Sequence, residues 1–315
     1  DFKLFIQRQI YFYSLIKEMI KNLFLKDTNK NFSILKVLIN GGSNMDAQGK
    51  KGINQILSCL LTRGCKGFNN YEFSEFIDSH GAELNQEIYE DGIFITLKSL
   101  NEHFEKLYPL IDLIINEPTI SKKQYQYIQK STVSSIKKEK ENPFNTVYEK
   151  WRKLVYKDHP YAFNCIGYEE DVKNISYQEI LDEYKRFKKR DMFFVSNNSE
   201  VISNISNKSG FKDFENKFVN KSIFKTTNQT KIPLRDEKRF VSTYKNSNQI
   251  IIMLGNQTCS QFSKEYLPLK VLESYLSYGM SSLLFKLFRE KNGLTYDVGV
   301  YSPSRRQNSP FLILS

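Results

Sequence analysis

The sequence predicts an α+β fold of two homologous units, each a mostly antiparallel sheet with helices packed on one side. The second unit is expected to be incomplete in this chain. A β-branched run, Ser33-Ile-Leu-Lys-Val-Leu-Ile-Asn40, closes on Gly41-Gly42, and Gln249-Ile-Ile-Ile-Met-Leu-Gly255 repeats that pattern further along the chain. Boundaries are set at 1–214 for the first unit, 215–247 for an Asn/Lys/Ser-rich connector and 248–315 for the second.

Residues 3–25 read as a short helix leading to a strand near 23–26, followed by a turn at 27–31. The strand at 33–40 gives way to a polar loop at 43–51 and a helix from Gly52 to Gly64. A helix at 72–80 ends at Gly81, which suits a left-handed cap. Strands follow at 82–85 and 92–97, the second alternating through Ile93, Ile95 and Leu97. Helical spacing of Phe104, Leu107, Tyr108, Ile111, Ile114 and Ile115 predicts one helix over 104–116, with further helices at 122–140 and 143–156. Ser176 with Glu179 three residues on is a capping-box pattern opening a helix to 188. A strand at 192–196 closes the first sheet, and a weak helix is placed near 200–208. In the second unit, helices at 266–276 and 281–291 precede strands at 296–302 and 310–314.

With 40% hydrophobic and 26% charged residues, the composition is that of an ordinary globular protein. The formal charge of +11 comes from lysines scattered among Asn, Tyr and Ile, with no clustered reading element. Nucleic acid is therefore not expected as a partner. No apolar run reaches membrane length, so no membrane partner is expected either. Cys59, Cys65, Cys165 and Cys259 form no C-x-x-C pair and read as reduced thiols, which favours a cytoplasmic location. Asp1 is not a start methionine, so a mitochondrial or periplasmic address stays open.

The Gly52–Gly64 helix carries the chemical question. Ile53, Ile56, Leu57, Leu60 and Leu61 make one apolar stripe, and Gln55, Ser58, Cys59 and Thr62 make another, expected to face outward or into a cleft. Between its two glycines this segment resembles the zinc-site helix of the insulinase/pitrilysin/mitochondrial-processing-peptidase family, whose signature is H-x-x-E-H. The first His maps to Gln55, the Glu to Ser58 and the second His to Cys59, so all three chemical positions are substituted. A neutral amide is a poor zinc ligand, a hydroxyl is not a carboxylate base, and one thiolate is not a site. In the family a third ligand precedes a Glu-Asn-Pro-like stretch. Here Glu141-Asn142-Pro143 is that landmark, and counting back lands near Ser135, within a run from Ser121 to Lys138 that holds no Asp or Glu. The three histidines, His80, His103 and His159, include no pair at ligand spacing on one helix. No metal is expected in this chain, and no catalytic residue. Cys59 alone is expected to pack.

Further landmarks agree in order: Gly42-Ser43, Gly81-Ala82, Pro118, His159-Pro160-Tyr161 and Gly167. The stretch Leu283-Leu-Phe-Lys-Leu-Phe-Arg-Glu-Lys-Asn-Gly-Leu-Thr-Tyr296 looks like the family's C-terminal-half signature. Arg289 near a helix end, Gly293 at the turn and Tyr296 at a strand start can bring a guanidinium and a phenol to one side. A helix-terminal Arg and a packing Tyr are the plain alternative. The resemblance implies a substrate-binding pair that hydrogen-bonds a peptide carbonyl. It also implies a non-catalytic subunit of a heterodimeric zinc metalloendopeptidase, with zinc and H-x-x-E-H in the partner subunit. Two rivals are weighed beside it: a structural or assembly protein with the same fold, and a solo enzyme using Cys59 and Cys65.

Overall fold

The computed structural model describes residues 31–198, 240–244 and 250–315. The elements expected near 3–26 and 200–208 lie outside the described residues, as does most of the connector at 215–247. The described residues fall into two compact units. Residues up to Ser134 and from Cys165 to 198 make the first; Ser135–Asn164 groups with 240–244 and 250–315 to make the second. The stretch 135–164, which lies within the 1–214 expected for the first unit, thus groups with the later residues.

The first unit is built on a four-stranded antiparallel sheet of order β2-β3-β1-β4, with β1 Phe32–Asn40, β2 Glu83–Ile88, β3 Gly92–Leu100 and β4 Met192–Ser196. Its register follows from period-two alternation. Leu35, Val37 and Ile39 are fully buried and stand opposite Leu97, Ile95 and Ile93 of β3. Each such side chain contributes about 1.5–3 kcal/mol of burial. A one-residue slip would turn the whole row to the other face.

Helices α1 Ile53–Leu61, α2 Asn70–Ser79, α3 Asn101–Leu107 and α4 Pro109–Asn116 supply the apolar cover, with Ile56, Leu57, Leu60, Phe104, Leu107 and Ile114 completely inaccessible. The expected single helix over 104–116 is two. Pro109 has no N–H to donate, so the ladder breaks there and α4 starts with proline in its first turn. The long helix α5 Lys122–Glu141 carries the chain from the first unit into the second. Beyond α6 Pro143–Tyr156, the first unit resumes with α7 Glu169–Asn174 and α8 Tyr177–Phe187. The capping box at α8 is formed: Ser176 accepts from the Glu179 N–H, and the Glu179 carboxylate accepts from the Ser176 N–H.

The second unit holds a three-stranded antiparallel sheet of order β5-β7-β6, with β5 Met253–Gln257, β6 Gly299–Tyr301 and β7 Pro310–Leu314. Its core gathers Trp151 and Tyr156 of α6 with Tyr161, Ala162 and Leu312. The Trp151 indole N–H donates to the Gly255 carbonyl at 3.3 Å, tying α6 to β5. Helices α9 Tyr266–Ser277 and α10 Phe285–Lys291 complete the unit, and α10 is wound as a π-helix. Among the described residues no helix is long and apolar enough to cross a membrane.

Candidate functional site

Helix α1 is held from its N-terminal end by a side chain outside it. Its first residue follows Gly52, which has no side chain to cap with. Asp46 substitutes, accepting from the Gly52 N–H at 2.7 Å, the Asn54 N–H at 3.3 Å and the Asn54 Nδ2 at 2.7 Å. Burial pushes the Asp46 carboxyl up to about 6, against the downward pull of those donors and of Lys51. Asn54 is itself inaccessible, and its Oδ1 accepts from Arg190 at 2.8 Å; Arg190 in turn pairs with buried Glu183 of α8. Gly52 also has to be glycine for space. Its φ is +104°, and a Cβ there would stand 2.8 Å from the Ile166 carbonyl, while one on Gly167 would stand 2.2 Å from that of Lys51. Two of the sequence landmarks thus meet backbone to backbone.

At the α1 positions expected to correspond to H-x-x-E-H, the side chains bind each other or the helix backbone. Gln55 Nε2 donates to Cys59 Sγ at 3.3 Å, and Gln86 Nε2 of β2 donates to the same sulfur at 3.2 Å. Burial pushes the Cys59 thiol up, away from the thiolate a metal would need. Ser58 departs from the expected outward stripe: it is fully buried and donates to the Gln55 carbonyl at 2.9 Å. That bond closes back onto the helix's own backbone, leaving the hydroxyl no role as a base. Ser135 lies exposed on α5. His80 and His103 do meet, with ring centroids 5.3 Å apart, but His80 Nδ1 is engaged by the Phe76 carbonyl at 2.8 Å. Among the described residues no group of three His, Cys, Asp or Glu is placed to hold a metal ion. A neutral amide, a buried hydroxyl and a protonated thiol do not fit zinc.

Gln86 was missed by sequence reasoning, although the signal was there. It is the polar member of the half-buried alternating row Leu84, Gln86 and Ile88, while Glu83, Asn85 and Glu87 are exposed.

In the second unit Arg289 and Tyr296 are brought together. The guanidinium lies 4.3 Å from the centre of the Tyr296 ring and 4.9 Å from that of Phe285. The Gly293 N–H donates to the Arg289 carbonyl at 3.1 Å and, with Gly293 at φ +58°, the chain reverses so that residue 296 returns over 289. Tyr296 is 83% exposed and precedes the strand rather than starting it, since β6 begins at Gly299. Among the described residues the Arg289 side chain makes no hydrogen bond or ion pair, so its N–H edge is open to an acceptor. Phe285, one helical turn before Arg289, is the part of this arrangement the sequence did not single out.

An antiparallel sheet with helices packed on it, carrying Gln55, Ser58 and Cys59 on the helix that follows Gly52, is the fold of a peptidase-type scaffold. The chain belongs to the insulinase family of peptidases, M16: residues 22–167 match the family model "Insulinase (Peptidase family M16)", and 174–315 match "Peptidase M16 inactive domain". It is 24% identical over 286 residues to an uncharacterized zinc protease of Rickettsia bellii, covering 89% of this chain and 66% of that one. With the uncharacterized zinc protease YmxG of Bacillus subtilis it shares 24% over 269 residues, 85% of this chain and 64% of the relative. The chain therefore spans about two thirds of the length of these relatives. In fold it is similar to a peptidase M16 inactive domain from Pseudomonas fluorescens, with a TM-score of 0.74 at 20% identity over 92% of this chain and 70% of that one. A protease from Helicobacter pylori gives a TM-score of 0.74 at 18% identity, with the same coverage.

Proposed function

We propose that this chain is the non-catalytic subunit of a two-chain zinc metalloendopeptidase, supplying half of the chamber and the Arg289/Tyr296 pair to an active homologous partner. The partner would carry H-x-x-E-H and the zinc; this chain would carry neither. The observation that carries the reading is a contrast. At the metal positions Gln55, Ser58 and Cys59 spend their hydrogen bonds on one another, the backbone and Gln86. At the other signature, Arg289 is stacked with its donor edge unspent. A guanidinium fixed between aromatic faces loses little freedom on donating to a carbonyl oxygen, which suits a preorganised clamp on a peptide bond becoming tetrahedral. Substrates would be extended peptides, held by backbone as much as by side chain.

The test is reconstitution. The full-length protein is recovered from its own cells, its companions are identified, and the eluate is assayed for chelator-sensitive cleavage of a quenched peptide. A stoichiometric H-x-x-E-H chain with that activity is expected. A large assembly without such a chain, and without cleavage in any combination, would replace this reading by a structural role.

A further inference from the structure

We propose that the half-open face of the first unit's sheet docks an acidic stretch of polypeptide, met by Lys36 of β1 and Lys98 of β3. Successive side chains of a strand point to opposite faces. Leu35, Val37 and Ile39 are fully buried in the core, so Ile34, Lys36 and Leu38 share the other face, and Phe94, Thr96 and Lys98 of β3 stand on it in register. Ile34, Leu38, Phe94 and Thr96 are half-buried there, whereas both lysines are exposed. Val195 of β4, directly across from Lys36, is exposed as well.

The two cations are placed but not neutralised. Lys36 Nζ lies 4.7 Å from the centre of the Phe94 ring, and Lys98 Nζ lies 5.3 Å from that of Phe32. A ring face attracts an ammonium without taking up its N–H groups in ordinary hydrogen bonds. Among the described residues neither lysine makes a hydrogen bond or an ion pair. The acid directly across from Lys98 is Glu83 of the edge strand β2, and its Oε1 accepts from Asn85 Nδ2 at 2.6 Å instead. Both ammonium groups therefore keep their donors for a ligand.

Their spacing and surroundings select its class. Lys36 pairs with Thr96, so Lys98 is its diagonal neighbour, about 7–8 Å away across the two strands. Alternate residues of an extended chain are about 7 Å apart and point the same way, so carboxylates at i and i+2 reach both cations. A small anion would meet only one of them. The ground around the cations is apolar, through Ile34, Leu38 and Phe94, and suits side chains flanking the two acids. Along the adjoining β2, Glu83 and Glu87 are exposed and would repel a continuous polyanion, whether nucleic acid or an anionic lipid surface. A polypeptide carrying two acids among apolar residues satisfies all of these conditions. The proposal concerns the first unit alone and does not depend on the subunit role argued above.

The test uses the protein expressed from its complete gene. The probe is a fluorescein-labelled peptide with glutamates at two alternate positions flanked by valines, and its counterpart has glutamine at both. Binding is read by fluorescence anisotropy. The glutamate peptide is expected to bind, and the double variant Lys36→Gln/Lys98→Gln to weaken it about tenfold, as the loss of two exposed ion pairs. Lys123→Gln removes an exposed lysine of α5 and should change the affinity less than about twofold. The glutamine peptide should bind the wild type no better than the glutamate peptide binds the double variant. Equal affinity in wild type and double variant would overturn the proposal. So would an equal loss in Lys123→Gln, which would make the attraction one of net charge. Vesicles containing phosphatidylserine that bind through both lysines, with no binding of the peptide, would give the face to lipid and also overturn it. Should the double variant fail to fold, acetylation of the wild type, read lysine by lysine by mass spectrometry, decides. The glutamate peptide must shield Lys36 and Lys98 but not Lys123, and unchanged reactivity at the first two sinks the docking site.

Discussion

Arg289 and Tyr296, seven residues apart, are stacked with the guanidinium carbon 4.3 Å from the ring centre. The π-turns of α10 and the reversal at Gly293 produce this contact, and it holds the charged fork flat while leaving its edge free. A cation against an aromatic face at an exposed site contributes about 0.5–1 kcal/mol, enough to bias a rotamer but too little to hold a fold. The pair reads as positioned rather than structural.

If the pair clamps a carbonyl in the reconstituted peptidase, Arg289→Ala lowers kcat/KM by about 100-fold, in line with removal of a transition-state donor. Arg289→Lys keeps the charge but loses the planar fork, and is expected to recover less than a tenth of the loss. The Trp151-monitored unfolding midpoint should be unchanged in both. A kcat/KM within twofold of wild type for Arg289→Ala would remove the clamp role.

Gly52→Ala tests why glycine stands at the start of α1. A methyl there meets the Ile166 carbonyl at 2.8 Å and strains a φ of +104°, so a loss of about 3 kcal/mol is expected by urea denaturation. Gly49→Ala is the control, since its φ is +75° with nothing within 4 Å of the added carbon. It should cost about 1 kcal/mol, the conformational part alone.

Much of this was legible in the sequence, and the failures have physical causes. Period-two alternation fixed β1 and β3, since Leu35, Val37 and Ile39 face Leu97, Ile95 and Ile93 as their spacing demands. The Ser176/Glu179 capping box was equally readable because capping is local. The break at Pro109 was available as well, but the apolar spacing across it outweighed the proline. What the sequence could not show was long-range pairing. Nothing in the local pattern says that Asp46 caps a helix six residues on, that Gly167 abuts Gly52, or that Gln86 reaches Cys59. At the candidate site the residue types Gln55, Ser58 and Cys59 were readable, whereas the burial of Ser58 was not: the stripe rule assumes one solvent-facing side, and α1 is covered nearly all round.

Asp46 should give the first unit a distinctive pH response. Its carboxyl is pushed up to about 6 in the folded chain, while an unfolded Asp titrates near 3.9. The folded state therefore holds the proton more tightly, and the group's stabilising contribution is present in full below about 3.9 and is lost as pH rises through 6. Across that window the difference amounts to about 3 kcal/mol at most. Asp46→Asn removes the titration while keeping an acceptor for the Gly52 N–H. The variant's stability relative to wild type should therefore rise between pH 4 and 6.5, and a flat difference would mean that Asp46 stays ionised throughout.

Rebuilding the motif does not rebuild the metal site. The triple change Gln55→His, Ser58→Glu and Cys59→His restores two nitrogen ligands and a carboxylate, but the stretch from Ser121 to Lys138 still lacks the acid that would be the third ligand. Two histidines alone do not satisfy a tetrahedral ion. Ser58 is also fully buried, so a glutamate there enters an apolar wall and is expected to destabilise α1 by more than 2 kcal/mol. After dialysis the triple variant should retain less than about a tenth of an equivalent of zinc by elemental analysis, and should cleave no quenched peptide. Stoichiometric zinc would mean that an unforeseen side chain completes the site, and would reopen catalysis by this chain alone.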